Sequence, residues 1–142
     1  MKITPADQRL LSLLRENARA STAEIARRLK LSRTTVQSRI DRLERDGVIA
    51  GYTVRVADAA EHGRIRAHIL VTVMPRRMAS VVEALRAMPE VRALHSVSGP
   101  SDLIALASAP NVEAMDGLTD RIGLVDGVER TTSSIILSSS GT

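Results

Sequence analysis

The sequence predicts an α+β protein in which a winged-helix-like helix-turn-helix domain precedes a ferredoxin-like sandwich domain. Two observations support this prediction. Residues 1–56 carry helix-capping signals and apolar side chains at helical spacing, whereas residues 64–142 alternate between strand and helix patterns in the order βαββαβ. Residues 1–56 also hold 12 basic and 6 acidic side chains, against 8 basic and 10 acidic side chains in residues 57–142. The positive first domain therefore predicts an anionic partner, either nucleic acid or an acidic membrane surface.

Three helices are predicted in the first domain. The first begins with Thr4 as its N-cap and Pro5 at its first position, and it ends near Asn17. A capping box, Ser21 to Glu24, opens a short second helix. Each start signal pairs a hydroxyl with a carboxylate three residues later, so that both side chains satisfy backbone amides of the first turn.

The turn between the second and third helices determines the type of helical domain. Lys30 and Leu31 make this turn. Many such turns carry glycine at the position of Lys30, because a backbone with positive φ costs a non-glycine residue about 1 kcal/mol. Ser32 caps the third helix and Gly47 ends it. A short second helix joined tightly to a third is the helix-turn-helix arrangement, in which the third helix enters a DNA major groove. A generic three-helix bundle is the alternative.

The third helix is amphipathic. Val36, Ile40 and Leu43 share one stripe that can pack on a core, and polar side chains occupy the opposite surface, where they can reach base edges and phosphates. A glutamine amide there can bind adenine through two hydrogen bonds, worth roughly 1–3 kcal/mol of discrimination. A solvated face with a salt bridge such as Asp41 to Arg45 is the alternative. We expect this helix to bind double-stranded DNA, with base-edge contacts from Arg33, Thr34, Gln37 and Ser38. Phosphates are expected to bind Arg39, Arg42 and the start of the helix near Ser32. Thr35 completes the predicted set of DNA-binding residues.

Alternation at period two predicts a short strand at Val48–Val56, leaving the helical bundle. The next segment, Ala57–Gly63, is small, charged and poor in apolar residues, and we interpret it as a linker. The predicted organisation is therefore a DNA-binding domain at 1–56, a linker at 57–63 and a second domain at 64–142.

Four strands and two helices are predicted in the second domain. Because both helices of a βαββαβ sandwich cover the same face of its antiparallel sheet, the other face is left open. The first and third strands are apolar on both faces, so we expect the open face to pack against a second copy in a two-fold dimer, although a weakly apolar face can also stay exposed. The strands are predicted at Ala67–Met74, Val91–Val97, Asp102–Ala107 and Val128–Leu137, and the helices at Met78–Met88 and after the N-cap Asn111.

Composition limits the possible settings of the protein. The chain has no cysteine, which suits a reducing cytosol, and its start lacks the apolar region of a signal peptide. No apolar run approaches the roughly 18 residues of a membrane span. Tyr52 is the one aromatic residue among Phe, Trp and Tyr, which nearly excludes base stacking with single-stranded nucleic acid. We expect a soluble, cytoplasmic protein with no membrane partner.

No pattern of catalytic or metal-binding residues is evident. His62, His68 and His95 are far apart in the sequence, and lone histidines on strands are more often structural than metal ligands. Neither a nucleophile triad nor a glycine-rich phosphate loop is indicated by the spacing. We therefore expect a protein without a catalytic site, metal or cofactor.

The loop Val97–Asp102 is a candidate ligand site. Gly99 lets the backbone approach another molecule, Pro100 presets a turn, and Asp102 supplies a carboxylate that can hold an ammonium group. Such a loop suits a small zwitterion. A hairpin turn in which Asp102 bonds its own backbone explains the same residues and is favoured by the spacing alone.

The chain resembles the leucine-responsive/asparagine-regulator (Lrp/AsnC) family in five segments: residues 7–19, SxxEIA at 21–26, LSRTTVQSRIDRLERDGVIAGY at 31–52, VSGPSD at 97–102 and GVERTTSSIIL at 127–137. The resemblance implies a bacterial or archaeal transcription regulator that dimerises and often builds octamers or larger rings. It also implies an amino acid or related effector bound between neighbouring sandwich domains. Many members carry an aromatic residue where this chain has Ser101, so the effector differs, the pocket is looser, or no effector binds. The implied effector contacts are Ser98, Gly99, Pro100, Ser101, Asp102, Thr131 and Ser133.

Two further functions fit the same predicted fold. One is an architectural, chromosome-coating protein that has no effector. The other is an enzyme, since haem-pathway decarboxylases resemble this two-domain fold and use histidines in the sandwich cleft. The basic first domain argues against the enzyme, which has no need of a DNA-binding face.

Overall fold

The computed structural model describes residues 2–61 and 63–141. The chain forms two compact units, Met1–Arg55 and Val56–Thr142, each with its own apolar core. His62, one of the three histidines considered above, lies outside the described residues.

Three helices make up the first unit: α1 at Pro5–Glu16, α2 at Thr22–Leu29 and α3 at Arg33–Arg45. Each helix contributes two buried apolar residues to a shared core, because its apolar positions recur at helical spacing and fall on one stripe. The stripe predicted on α3 packs as expected, with Ile40 at its partly buried edge. The buried residues are Leu10, Leu14, Ile25, Ala26, Val36 and Leu43.

The predicted helix starts are observed, with one difference. At α1 the Thr4 hydroxyl and the Asp7 carboxylate form the complete capping box. At α2 the Ser21 hydroxyl accepts from the Glu24 N–H at 3.1 Å, but the described helix lacks the return bond from the Glu24 carboxylate, so only half of the predicted box forms. Lys30 ends α2 with φ 57° and ψ 47°, and this left-handed residue makes the turn into α3, as the sequence predicted.

The strand predicted at Val48–Val56 is wrong. A period-two pattern makes a strand only where a neighbouring backbone supplies hydrogen bonds, and the described residues offer this segment no strand partner. Its first residues instead complete the end of α3: the Ile49 N–H donates to the Leu43 carbonyl at 3.0 Å, following Gly47 at φ 74°. Beyond them the chain is irregular, and the Val54 side chain is 80% exposed.

The second unit has the predicted ferredoxin-like order of elements. Its strands form one antiparallel sheet in the spatial order β2-β3-β1-β4. Element ends differ from the predicted ones by a few residues, and a short 3₁₀ helix at Pro75–Arg77 precedes α4. The elements are β1 at Ile65–Val73, α4 at Met78–Arg86, β2 at Val91–Ser96, β3 at Leu103–Ala109, α5 at Val112–Gly123 and β4 at Val128–Ile135.

Burial alternates along the two central strands of the sheet. In β1, Ala67, Ile69, Val71 and Val73 are buried under the helices together with four residues of β3. The other face, which we call the open face, is less apolar than the sequence suggested. Its three larger apolar residues are partly buried neighbours on β1 and β3, and polar side chains border them because β2 and β4 contribute mostly exposed histidine, threonine and serine there. The three apolar residues are Leu70, Ile104 and Leu106. In neither unit does a described helix have the length and apolar character needed to cross a membrane.

Candidate nucleic-acid interface and effector loop

The first turn of α3 is held by its own cap. The Ser32 hydroxyl accepts from the Thr35 N–H at 3.1 Å and donates to the Thr35 hydroxyl at 2.8 Å. Both side chains belong to the set predicted to bind DNA, but the structure shows them bonded to each other. They therefore fix the start of the helix.

The exposed surface of α3 collects the other predicted base-reading residues. Arg33, Thr34, Gln37 and Ser38 are all exposed, and Arg39 is half-buried beside them. They lie opposite the buried stripe of the helix, so packing of α3 into the core presents them together to solvent. These side chains are all polar and include two arginines, which suits contact with a DNA groove.

Arg42 is engaged inside the unit. Its guanidinium forms an ion pair with Asp7, whose carboxylate is 1% exposed, and the pair joins the start of α1 to the C-terminal half of α3. The second carboxylate oxygen of Asp7 accepts from the Thr4 N–H at 3.0 Å. Sequence analysis identified both the cap and the arginine but missed their contact, because the two residues are 35 positions apart.

Hydrogen bonds hold the Asp7 carboxyl in its charged form. The bond from the Thr4 backbone lowers the pKa of Asp7 most, burial opposes this effect, and the Thr4 hydroxyl and the Arg42 guanidinium lower the pKa further. The net result is a pKa below the ordinary value of 3.8. The Asp7 carboxylate that faces Arg42 is therefore charged at neutral pH.

Two further side-chain hydrogen bonds involve residues of α3. The Gln37 amide nitrogen donates to Asp41 Oδ1 at 2.8 Å, one turn along the helix, and the described residues show no ion pair between Asp41 and Arg45. The Tyr52 hydroxyl donates to Glu44 Oε1 at 2.9 Å, which ties the segment after α3 back to the helix. Burial raises the pKa of Tyr52, and its bond to Glu44 adds to the rise.

The loop at 98–102 is tied to β1, one of the two central strands of the sheet. Asp102 Oδ2 accepts from the Val73 N–H at 2.8 Å, and the Asp102 N–H donates to the Val71 carbonyl at 2.9 Å. The carboxylate thus bonds a neighbouring strand, which neither reading of the sequence anticipated. Gly99 has φ 124°, a conformation that favours glycine, and Ser98, Gly99 and Pro100 are exposed while Ser101 is half-buried.

The other two predicted effector residues lie on the far side of β1 from this loop. Thr131 is paired with Val71 in the sheet, and Ser133 is paired with Ile69. The Ser133 hydroxyl is 3.5 Å from that of Thr119 on α5. Among the described residues no hydrogen bond links the loop side chains to Thr131 or Ser133, so one chain holds two separate sets of candidate contacts.

The described histidines form no site. His68 and His95 are exposed residues of β1 and β2, with β3 lying between their strands. Across the described ranges 2–61 and 63–141, no three side chains of the metal-ligating types come together.

Comparison with known proteins covers both units. The family model for the Lrp/AsnC ligand-binding domain matches residues 66–140, and the model for a winged helix-turn-helix DNA-binding domain matches residues 3–50. The chain belongs to the Lrp/AsnC family of transcription regulators. This result confirms the resemblance and the fold class predicted from the sequence.

Relatives and solved structures agree with this membership. The transcriptional regulator LrpA1 of Halobacterium salinarum is 35% identical over 129 residues, which are 90% of this chain and 91% of that protein. The regulator LrpA of Pyrococcus horikoshii is 33% identical over 141 residues, and the match covers 95% of this chain and 96% of that protein. The structure of the feast or famine regulatory protein of M. tuberculosis in complex with L-methionine is also similar, with a TM-score of 0.82 and 31% sequence identity. The match covers 96% of this chain and 93% of that chain. The first two are named as transcriptional regulators and the third as a regulatory protein, so none of the three is named as an enzyme.

We expect Asp7→Asn to destabilise the first unit by about 1–3 kcal/mol at pH 7, because a neutral amide binds Arg42 less strongly than a carboxylate does. Since the native pKa of Asp7 lies below 3.8, the charged carboxylate stabilises the folded state fully above about pH 5, and this contribution disappears as the pH falls through the native pKa. The difference in unfolding free energy between wild type and variant, measured by urea denaturation, should therefore shrink below about pH 4.

Asp46→Asn is the matched control, because Asp46 is an exposed aspartate at the end of α3. Its effect should stay within about 0.5 kcal/mol. A difference between wild type and Asp7→Asn that is equal at pH 7 and pH 3 contradicts the assigned role of the Asp7 carboxylate.

Proposed function

We propose that this protein is a sequence-specific DNA-binding transcription regulator that responds to an amino acid or a related small metabolite. The observation that carries the proposal is the exposed polar and basic surface of α3, held on a helix-turn-helix core in a member of a regulator family. Chromosomal DNA as the target places the protein in the cytoplasm of a bacterial or archaeal cell.

In this proposal α3 is the recognition helix. Arg33, Thr34, Gln37 and Ser38 face base edges in the major groove, and Arg39 together with the amides at the helix start holds phosphates. Ser32 and Thr35 support the interface by fixing the first turn. Because the guanidinium of Arg42 is paired with Asp7, we assign Arg42 to orienting α3 rather than to a phosphate.

Dimerisation through the open face accounts for its partly buried apolar residues. Leu70, Ile104 and Leu106 lie side by side on β1 and β3, since Leu70 pairs with Ile104 and His68 with Leu106. Stacking the sheets of two copies removes these side chains from water and gives the protein two recognition helices for a palindromic site. Family resemblance supports further assembly into octamers or larger rings.

The effector site is proposed at the two sets of residues that flank β1. Asp102 Oδ2 is bonded to Val73, and within the described residues Asp102 Oδ1 has no bond, so this oxygen is available to an ammonium group. The two sets are not joined within one chain, which favours a cleft between neighbouring subunits. The L-methionine bound by the M. tuberculosis relative supports an amino acid as ligand. The proposed contacts are Ser98, Gly99, Pro100, Ser101, Asp102, Thr131 and Ser133.

The variants Arg39→Ala and Arg42→Ala distinguish a residue that binds phosphates from one that positions α3. We expect Arg39→Ala to weaken binding to every DNA sequence and to reduce the slope of log affinity against log salt by about one unit. Arg42→Ala should leave that slope unchanged while lowering the unfolding free energy, because it leaves the buried Asp7 carboxylate unpaired. Fluorescence anisotropy at four salt concentrations measures the slopes, and an unchanged slope for Arg39→Ala removes this residue from the phosphate contacts.

Asp102→Asn and Asp102→Ala test the effector site. Asparagine retains an oxygen for the Val73 N–H but loses the negative charge, whereas alanine loses both. Wild type should gain about 4 °C or more in Tm, measured by calorimetry, with saturating L-methionine or another L-amino acid from a screen of twenty. Asp102→Asn should keep the ligand-free Tm within about 3 °C and lose the gain, while Asp102→Ala should lower the ligand-free Tm as well. A full ligand-induced gain in Asp102→Asn contradicts the role of the Asp102 charge.

A further inference from the structure

Gln37 and Asp41 form a connected pair in the middle of the exposed face of α3. The two residues are one helical turn apart, both are exposed, and the distance from Gln37 Nε2 to Asp41 Oδ1 is 2.8 Å. A charged carboxylate can only accept hydrogen bonds, so the amide must turn its NH₂ group toward Asp41. The carbonyl oxygen of Gln37 consequently points away from Asp41 and has no bond within the described residues.

The orientation of this amide determines which bases it can bind. A free glutamine can rotate its side-chain amide by 180° and offer either its oxygen or its nitrogen to a base. In the major groove, adenine N6 and cytosine N4 are donors, whereas guanine N7 and O6 and thymine O4 are acceptors. A glutamine that presents its carbonyl oxygen therefore suits adenine and cytosine and disfavours guanine and thymine.

We propose that Asp41 is a specificity-determining positioning residue, which holds the Gln37 amide with its carbonyl oxygen toward the base edge and so restricts that position of the DNA site to adenine or cytosine. This inference rests on the proposed function, since it requires that α3 enters the major groove. The second N–H of the Gln37 amide remains free to donate to adenine N7. Adenine is therefore the preferred base, because cytosine offers no acceptor beside its N4 group.

The charge of Asp41 has a separate effect that must be distinguished from the positioning effect. A carboxylate on a DNA-facing surface repels phosphates, so its removal strengthens binding to all sequences alike. Orientation of Gln37 instead alters the ratio of affinities for different bases at one position. The ratio is therefore the informative quantity, and a variant that removes an equal charge elsewhere on α3 supplies the control.

The test begins with selection of preferred sites by the full-length protein from a duplex library. The affinity for all four base pairs is then measured at each position of the selected site by competition anisotropy. The position bound by Gln37 is the one where Gln37→Ala loses its base preference. At this position we expect wild type to prefer adenine or cytosine over guanine and thymine by about tenfold or more.

Asp41→Asn is the decisive variant. Asparagine can donate as well as accept, so it no longer fixes the Gln37 amide, and the preference should fall by about fivefold or more as guanine or thymine becomes accepted. Asp41→Glu, which keeps an accepting carboxylate one turn away, should retain the preference. Asp46→Asn removes the same charge from the exposed end of α3 without touching Gln37, and it should also retain the preference. In the Gln37→Ala background, Asp41→Asn should change affinities uniformly but leave their ratios unchanged.

Several outcomes overturn the inference. One is a wild-type preference for guanine or thymine at the Gln37 position, and another is a preference that survives in Asp41→Asn or falls equally in Asp46→Asn. If no position depends on Gln37 although wild type selects a defined site, the inference fails while the proposed function stands. Selection of no preferred site at all contradicts the proposed function itself.

Discussion

The ion pair between Asp7 and Arg42 links α1 to α3, the proposed recognition helix, and the placement of the exposed face of α3 depends on it. Apolar packing is non-directional, so the buried stripe of α3 alone fixes the helix on the core less strictly than a directional bond does. A buried carboxylate has to keep its charged partner, because leaving it unpaired is costly. Since Asp7 also caps α1, one side chain sets both the start of the first helix and the placement of the third. The exposed residues of α3 then project from a fixed surface.

Local sequence signals were sufficient for most of the fold. Caps, periodicity and glycine at Gly47 located the helices within a few residues, and even the left-handed turn residue Lys30 was anticipated, because these features depend on neighbours in sequence. Strand pairing depends on distant backbone groups. The segment 48–56 therefore carried a convincing strand pattern but has no strand partner in the described part of the chain.

The candidate site was only partly predictable for the same reason. Amphipathicity identified the exposed residues of α3 correctly, since the side chains of one helix share a simple period. It could not show that Arg42 is paired with a residue 35 positions away, or that Asp102 bonds the backbone of Val73, because both contacts join elements that meet only in the folded chain. The hydrogen bond from Gln37 to Asp41 spans a single turn, and the spacing i to i+4 was the signal that would have found it.

The two units carry different candidate sites. The first unit has the excess of positive charge and the proposed base-reading surface of α3, and the second has the open sheet face and the loop at Asp102. Aspartates bind side chains of α3 in the first unit and backbone in the second. Asp7 pairs with Arg42 and Asp41 accepts from Gln37, whereas Asp102 bonds the loop to β1 through one carboxylate oxygen.

If α3 reads a DNA sequence, the most direct test is the affinity of the purified protein for duplex DNA from the region upstream of its own gene. A shuffled duplex of equal length and composition is the comparison, with fluorescence anisotropy at two salt concentrations. We expect a preference for the native sequence of about a hundredfold or more at both salt concentrations, because base-specific contacts add to the phosphate contacts that both duplexes share. Equal and steeply salt-dependent binding of the two duplexes would contradict it and would instead indicate an architectural protein that holds only the DNA backbone.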